Sequence, residues 1–255
     1  MERIALVTGA SAGIGKATAI MLARNEYNLI ITGRRETRLT DLKIFIETHY
    51  NVKVLPLAFD IRKRKEVEKA WNSLPDEWKN IDILINNAGL AAGLDFIYEG
   101  DVEDWETMID TNIKGLLYIS RLVMPVMKER RSGHIVNLSS IAGKETYQKG
   151  NVYCATKHAV EAITKGMRID LLPYNVKVSS VSPGMVETEF SMVRFKGDEE
   201  KASKVYEGLD PLTAEDIAEV IEFIITRPPH VNINDVLVMP TAQANSFYVH
   251  REQKD

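Results

Sequence analysis

Cysteine is almost absent: Cys154 is the single one in 255 residues, so no disulfide can form within the chain. A reducing compartment, the cytoplasm by default, fits that scarcity. A lone thiol reads first as a small, partly buried apolar residue rather than a nucleophile. Long apolar runs are missing too. None approaches the roughly 20 residues that span a bilayer, and no signal peptide precedes the first strand-like run. Positive charge is not in excess: 32 Lys and Arg against 36 Asp and Glu leave a formal charge of -4, with the signs mixed. That balance argues against a nucleic-acid surface. The five histidines (His49, His134, His158, His230, His250) show no paired ligand spacing, so no metal site is expected. Ser140 has no nucleophile-elbow sequence around it, and no Ser-His-Asp arrangement is legible.

What is present fits one soluble α/β domain. The hydrophobic share of 45% and charged share of 27% suit a sizeable core. Strand-like runs at 4–8, 28–32, 53–59, 81–85, 133–138, 177–181 and 236–239 alternate with helical patterns. This order predicts a Rossmann-type, doubly wound, seven-stranded parallel sheet with helices on both faces. A single domain is expected over 1–255, with no repeat, linker or low-complexity segment. Residues 104–130 read as one long helix with an apolar stripe, kinked at Pro125. Residues 187–209 lack a strand pattern and read as a flap or helical lid, placed at about 185–210. Thr213 followed by Glu215 and Asp216 resembles an N-cap and acidic first turn.

Three stretches point to a nucleotide. Thr8-Gly9-Ala10-Ser11-Ala12-Gly13-Ile14-Gly15 joins the first strand to a helix. Glycines there let the backbone turn tightly and approach a pyrophosphate at the positive helix end. The spacing is Gly-x-x-x-Gly-x-Gly, not the commoner Gly-x-Gly-x-x-Gly. After the second strand come Gly33, Arg34 and Arg35. An acid at this strand end would suit the ribose hydroxyls of NAD; arginine suits the 2′-phosphate of NADP. The third strand ends at Asp60 and Ile61, a plausible adenine-contacting corner.

The chemistry is centred on Tyr153 and Lys157. Helical spacing places i and i+4 on one face, and Ala159, Ala162, Ile163 and Gly166 continue it. A nearby ammonium favours the phenolate, so Lys157 is expected to lower the Tyr153 pKa toward the range where acid-base catalysis works.

Together these motifs resemble the short-chain dehydrogenase/reductase family over nearly the whole chain. The resemblance rests on the Thr8–Gly15 loop, Asn86-Asn87-Ala88-Gly89, Asn112, Ser140 thirteen residues before Tyr153, Tyr153-x-x-x-Lys157 and Pro183-Gly184. Gly33-Arg34-Arg35, the 102–112 stretch, Val193-Arg194-Phe195-Lys196-Gly197-Asp198 and the 230–234 stretch look like the NADP-dependent 3-hydroxy acid dehydrogenases that oxidise serine and allo-threonine. The resemblance implies Tyr153 as general acid-base, Lys157 as its partner and holder of the nicotinamide ribose, and Ser140 on the substrate oxygen. Asn112 would fix a water in a proton relay. Gly9, Ser11, Ala12, Gly13, Ile14, Gly15, Arg34, Arg35, Asp60 and Ile61 would hold NADP, with Asn87, Ala88 and Gly89 on the adenosine side. Pro183, Gly184, Val186 and Thr188 would meet the carboxamide. A short 3-hydroxy acid (serine, allo-threonine or 3-hydroxyisobutyrate type) and a homotetramer follow from the same likeness. The substrate carboxylate would need a cation or directed amides, and among the cations Arg194, before Lys196, is the first candidate. A carbonyl reductase for sugars, steroids or dicarbonyls would share every catalytic residue. A non-catalytic NADP sensor would need only the glycine loop and arginines.

Overall fold

A computed structural model describes residues 2–252 of the protein; Met1 and 253–255, the ends of the expected domain, lie outside the described residues. The chain runs β1 Arg3–Val7, α1 Gly13–Arg24, β2 Tyr27–Gly33, α2 Glu36–His49, β3 Val54–Ala58 and α3 Arg64–Asn72. It continues through β4 Ile83–Asn86, α4 Val102–Ile109, α5 Leu116–Arg130, β5 Gly133–Leu138 and α6 Asn151–Leu171. Then follow β6 Val176–Pro183, α7 Phe190–Arg194, α8 Glu199–Lys204, α9 Ala214–Ile225 and β7 Asp235–Val238.

The seven strands form one parallel sheet in the order β3-β2-β1-β4-β5-β6-β7. Alternation along each strand divides the core between the two faces. Ala5, Val7, Leu29, Ile31, Ile83 and Ile85 pack on one side with α1, α2 and α9. Ile4, Leu6, Ile30, Leu84 and Ile135 pack on the other with α5 and α6. The expected doubly wound sheet is therefore present. Strand order reverses between β1 and β4, and ligands of such sheets bind at that switch point, beyond the strand C-termini.

The expected single helix over 104–130 is instead two. It begins at Val102, where the Asp101 carboxylate accepts from Glu103 N at 3.0 Å, and is broken by a π-helical turn at Asp110–Gly115. This interruption lies upstream of Pro125, which sits inside α5. Its cause is local. A Cβ on Gly115 would stand 2.9 Å from Ile61 Cγ2, and the Asn112 side chain is tied to Leu90 and Thr156. The Thr213 cap is present in full: Thr213 Oγ1 accepts from Asp216 N, and the Asp216 carboxylate accepts from Thr213 N.

Candidate active site

A cleft of about 500 Å³ opens at the switch point. At its floor the chain turns from β1 into α1 through Gly9 and Gly13, whose φ values of +68° and +49° suit glycine. Asn87 braces this turn: its side-chain amide donates to Thr8 O (2.9 Å) and Gly9 O (3.2 Å). Thr8 Oγ1 accepts from the backbone N–H of Asn87 and Ala88, both at 3.0 Å. The start of α1 has no side-chain cap and no acid in its first turn. Its N–H groups therefore remain available to an anion. Space is tight here, since a Cβ on Gly9 would lie 2.9 Å from Ala88 Cα. These features fit a pyrophosphate.

The basic end lies after β2. Arg35 donates from Nε and Nη2 to Ser11 Oγ (3.2 and 3.0 Å) and from Nη1 to Glu189 (2.7 Å). Arg38, one turn into α2, also bonds Glu189. Arg34 lines the cleft beside it. Asp60 is taken up by Arg62, with contacts of 2.6 to 3.1 Å. Burial raises the Asp60 carboxyl, yet these bonds outweigh it and hold it below its usual range.

At the other end, α6 presents Tyr153, buried at 7% exposure, and Lys157 at 6%. Lys157 Nζ donates to Leu138 O at 2.9 Å and stands 6.0 Å from the Tyr153 ring centre. Burial lowers the ammonium to about 8, while Glu161, one turn on, pulls it upward. The expected net lowering of the Tyr153 pKa is not what the fold gives. Burial raises the phenol above its ordinary value, Tyr147 adds to this, and only Arg194 and Ser140 oppose it. Desolvation of a phenolate outweighs the charges nearby. Ser140 Oγ accepts from Ala142 N at 3.1 Å and lies 3.4 Å from Pro183 O.

Arg194, the last residue of α7, reaches the same place. Its guanidinium lies 5.0 Å from the Tyr153 ring centre and 5.2 Å from that of Phe190. Nη2 donates to the Tyr147 hydroxyl at 3.0 Å, while Nε is buried without a partner. Lys196, the second candidate cation, is set aside: Asp104 (2.9 Å) and Asp101 (3.4 Å) hold it away from the cleft wall.

Most of the expected site residues meet on that wall: Ser11, Ala12, Ile14, Ile61, Gly89, Gly184, Val186 and Thr188 among them. Gly15 and Asn112 do not. Gly15 packs under the turn, where a Cβ would collide with Gly9 O. Asn112, 1% exposed, donates to Leu90 O (2.8 Å) and Thr156 Oγ1 (3.0 Å) and accepts from Leu90 N (2.9 Å). The expectation missed Tyr147, Gln243 and Ser246, which also line the cleft. Ser246 Oγ is buried there without a partner. No group of metal-ligating side chains occurs among the described residues.

A nucleotide cradle facing a buried phenol–ammonium pair across a parallel sheet's switch point defines a dinucleotide-binding α/β protein. The short chain dehydrogenase profile matches residues 3–199, and the chain belongs to that family. An NADP-dependent 3-hydroxy acid dehydrogenase of Salmonella typhi is 49% identical, over 97% of this chain and 99% of its own. One from Schizosaccharomyces pombe is 44% identical over 97% and 96%. A solved closed form of serine dehydrogenase complexed with NADP+ superimposes with a TM-score of 0.90 at 47% identity. It spans 98% of this chain and all of that one.

Proposed function

We propose that the protein interconverts a short 3-hydroxy acid and the matching 3-oxo acid, of the serine, allo-threonine or 3-hydroxyisobutyrate type. The chain is an NADP-dependent short-chain dehydrogenase acting on CH–OH groups. When bound, the nicotinamide supplies or accepts the hydride. Gly9, Gly13 and the open start of α1 would hold the pyrophosphate, and the arginines after β2 the 2′-phosphate.

Tyr153 would donate a proton to the carbonyl oxygen in reduction and take it from the alcohol in oxidation. A phenol is protonated at neutral pH and so can donate, while the burial that raises this one makes it the weaker acid. Lys157 places a positive charge on the same helix face. Ser140 would hydrogen-bond the reacting oxygen as negative charge develops there. The Asn112 side chain is spent within the fold, so its part in a proton relay would come from its backbone.

The observation that carries the substrate reading is Arg194. Its buried, unpartnered Nε beside the Tyr153 ring is an expensive arrangement for a cation. A carboxylate arriving near the reacting carbon would satisfy it, and a guanidinium binds carboxylate in a planar fork. A carbonyl reductase for uncharged sugars or steroids would leave that group unpaid.

The test is a panel of 3-hydroxy acids and size-matched uncharged alcohols, assayed in both directions with NADP(H). Equal kcat/KM for acids and alcohols would reject the reading. A homotetramer belongs to the same proposal, supported by exposed Leu117, Ile169 and Leu172 on the outer faces of α5 and α6 and the turn beyond. Light scattering at one subunit's mass would reject it. No helix among the described residues is long and apolar enough to cross a membrane. Cytoplasmic residence is proposed with the rest, and cell fractionation tests it.

A further inference from the structure

The helix after β2 and the segment before α7 meet in a contact that the reaction itself does not require. Arg35 Nη1 donates to Glu189 Oε2 at 2.7 Å, and Arg38 bonds the other carboxylate oxygen. These residues are more than 150 positions apart in the chain, so only the fold brings them together. Arg35 also holds Ser11 of the glycine turn. The two arginines thus form a fork already closed on an anionic group, and Glu189 lines the cleft with Arg34 and Arg35. The carboxyl is held below its ordinary range by its bonds to Arg38 and Arg35, so it is charged at neutral pH. All three side chains are between 43% and 47% exposed, which makes each pair weak enough to exchange partners.

We propose that Glu189 is a specificity-determining residue for the cofactor: its carboxylate occupies the arginine fork, and a ribose 2′-phosphate must displace it to bind there. A dianionic phosphate competes for Arg35 and Arg38 with more charge and three acceptor oxygens. A ribose 2′-hydroxyl carries no charge with which to compete, so a nucleotide lacking the phosphate leaves the contact closed. Arg38, on the first turn of α2, thereby joins the 2′-phosphate readers. Glu189 sets how much of the arginines' attraction is left for the ligand.

The test uses two fragments that differ at the decisive position, 2′,5′-ADP and 5′-AMP, titrated calorimetrically into the full chain. Glu189→Gln should tighten 2′,5′-ADP by about fivefold, the Coulomb worth of one unit charge at contact distance in water, and leave 5′-AMP within about twofold. Arg38→Gln should weaken 2′,5′-ADP by about tenfold, the scale of one charge-assisted bond, again sparing 5′-AMP. Unchanged or weaker 2′,5′-ADP binding by Glu189→Gln would overturn the proposal, because Glu189 would then be orienting Arg35 rather than competing. An equal gain on both nucleotides would overturn it too, as a general effect of charge. So would an Arg38→Gln chain that binds 2′,5′-ADP as the wild type does.

Discussion

Replacing Arg194 by alanine separates the proposed substrate recognition from support of Tyr153. Two losses follow from the geometry. The first is the proposed bond to a substrate carboxylate. A charge-assisted contact contributes about 1.5 to 3 kcal/mol, which is roughly ten- to 150-fold in kcat/KM. The second is the positive charge 5.0 Å from the Tyr153 ring, which now opposes the rise in the phenol's pKa. That second loss falls on every substrate alike. The informative quantity is therefore the ratio between a 3-hydroxy acid and an uncharged secondary alcohol of similar size, at saturating NADP. Arg194→Ala should raise KM for the acid at least about tenfold and change the alcohol far less. Arg194→Lys should recover only part, since an ammonium keeps the charge without the planar fork. Equal losses on both substrates would refute the reasoning and make Arg194 a support for α7 through Tyr147 and Phe190.

Tyr153→Phe should retain cofactor binding by titration and lose at least about a hundredfold in turnover, the usual scale for a proton-transfer group; near-normal turnover would remove the residue from its role. In the wild type, oxidation should climb with pH through the alkaline range, because the raised phenol must lose its proton to act as base. Arg34→Ala and Arg35→Ala should each erode the preference of kcat/KM for NADP over NAD, and no change in either would place the 2′-phosphate elsewhere. His134 is buried, with Nε2 2.8 Å from Ser179 Oγ and Nδ1 unpartnered, and burial holds it at about 3 against an ordinary 6.5. Between those values the unfolded chain carries a proton that the folded one refuses. Stability should therefore be complete above 6.5 and fall as pH drops, by up to about 1.4 kcal/mol per unit. His134→Gln should flatten that slope in chemical denaturation, and an unaltered slope would exonerate the residue.

Much of this was legible in the sequence because strand periodicity and glycine placement are local signals. β1, the turn at Gly9 to Gly15 and α1 follow one another within 24 residues, and their order alone implies the nucleotide end. The Thr213 cap is equally local. What stayed hidden depends on distant contacts. The π-helical turn at Asp110–Gly115 keeps a helix-like apolar pattern, and its cause is the approach of Gly115 to Ile61. The tail after β7 has no periodicity, yet Gln243 bonds Met185 N at 2.8 Å and brings Ser246 to the cleft. Nothing in the spacing of Val193 to Asp198 tells Arg194 from Lys196. The fold decides, because Asp101 and Asp104 capture the lysine and leave the arginine facing Tyr153.

Spacing alone also misjudged the sign of the balance on α6. Tyr153, Lys157 and Glu161 recur every four residues and share one buried face. Sequence reasoning counts the charges along such a face and expects the ammonium to stabilise the phenolate. The fold adds two things. It removes water from both groups, which drives the phenol up and the ammonium down, each toward its neutral form. It also engages the ammonium with Leu138 O and ties the Glu161 carboxylate to Lys144 at 2.8 Å and Ser182 at 2.9 Å. Desolvation acts on every atom of the buried group, whereas the Lys157 charge lies 6.0 Å away. The pair therefore rests with Tyr153 holding its proton, the form in which it would protonate a carbonyl oxygen. To serve as a base for an alcohol, the same residue must first lose that proton against the cost of its own burial.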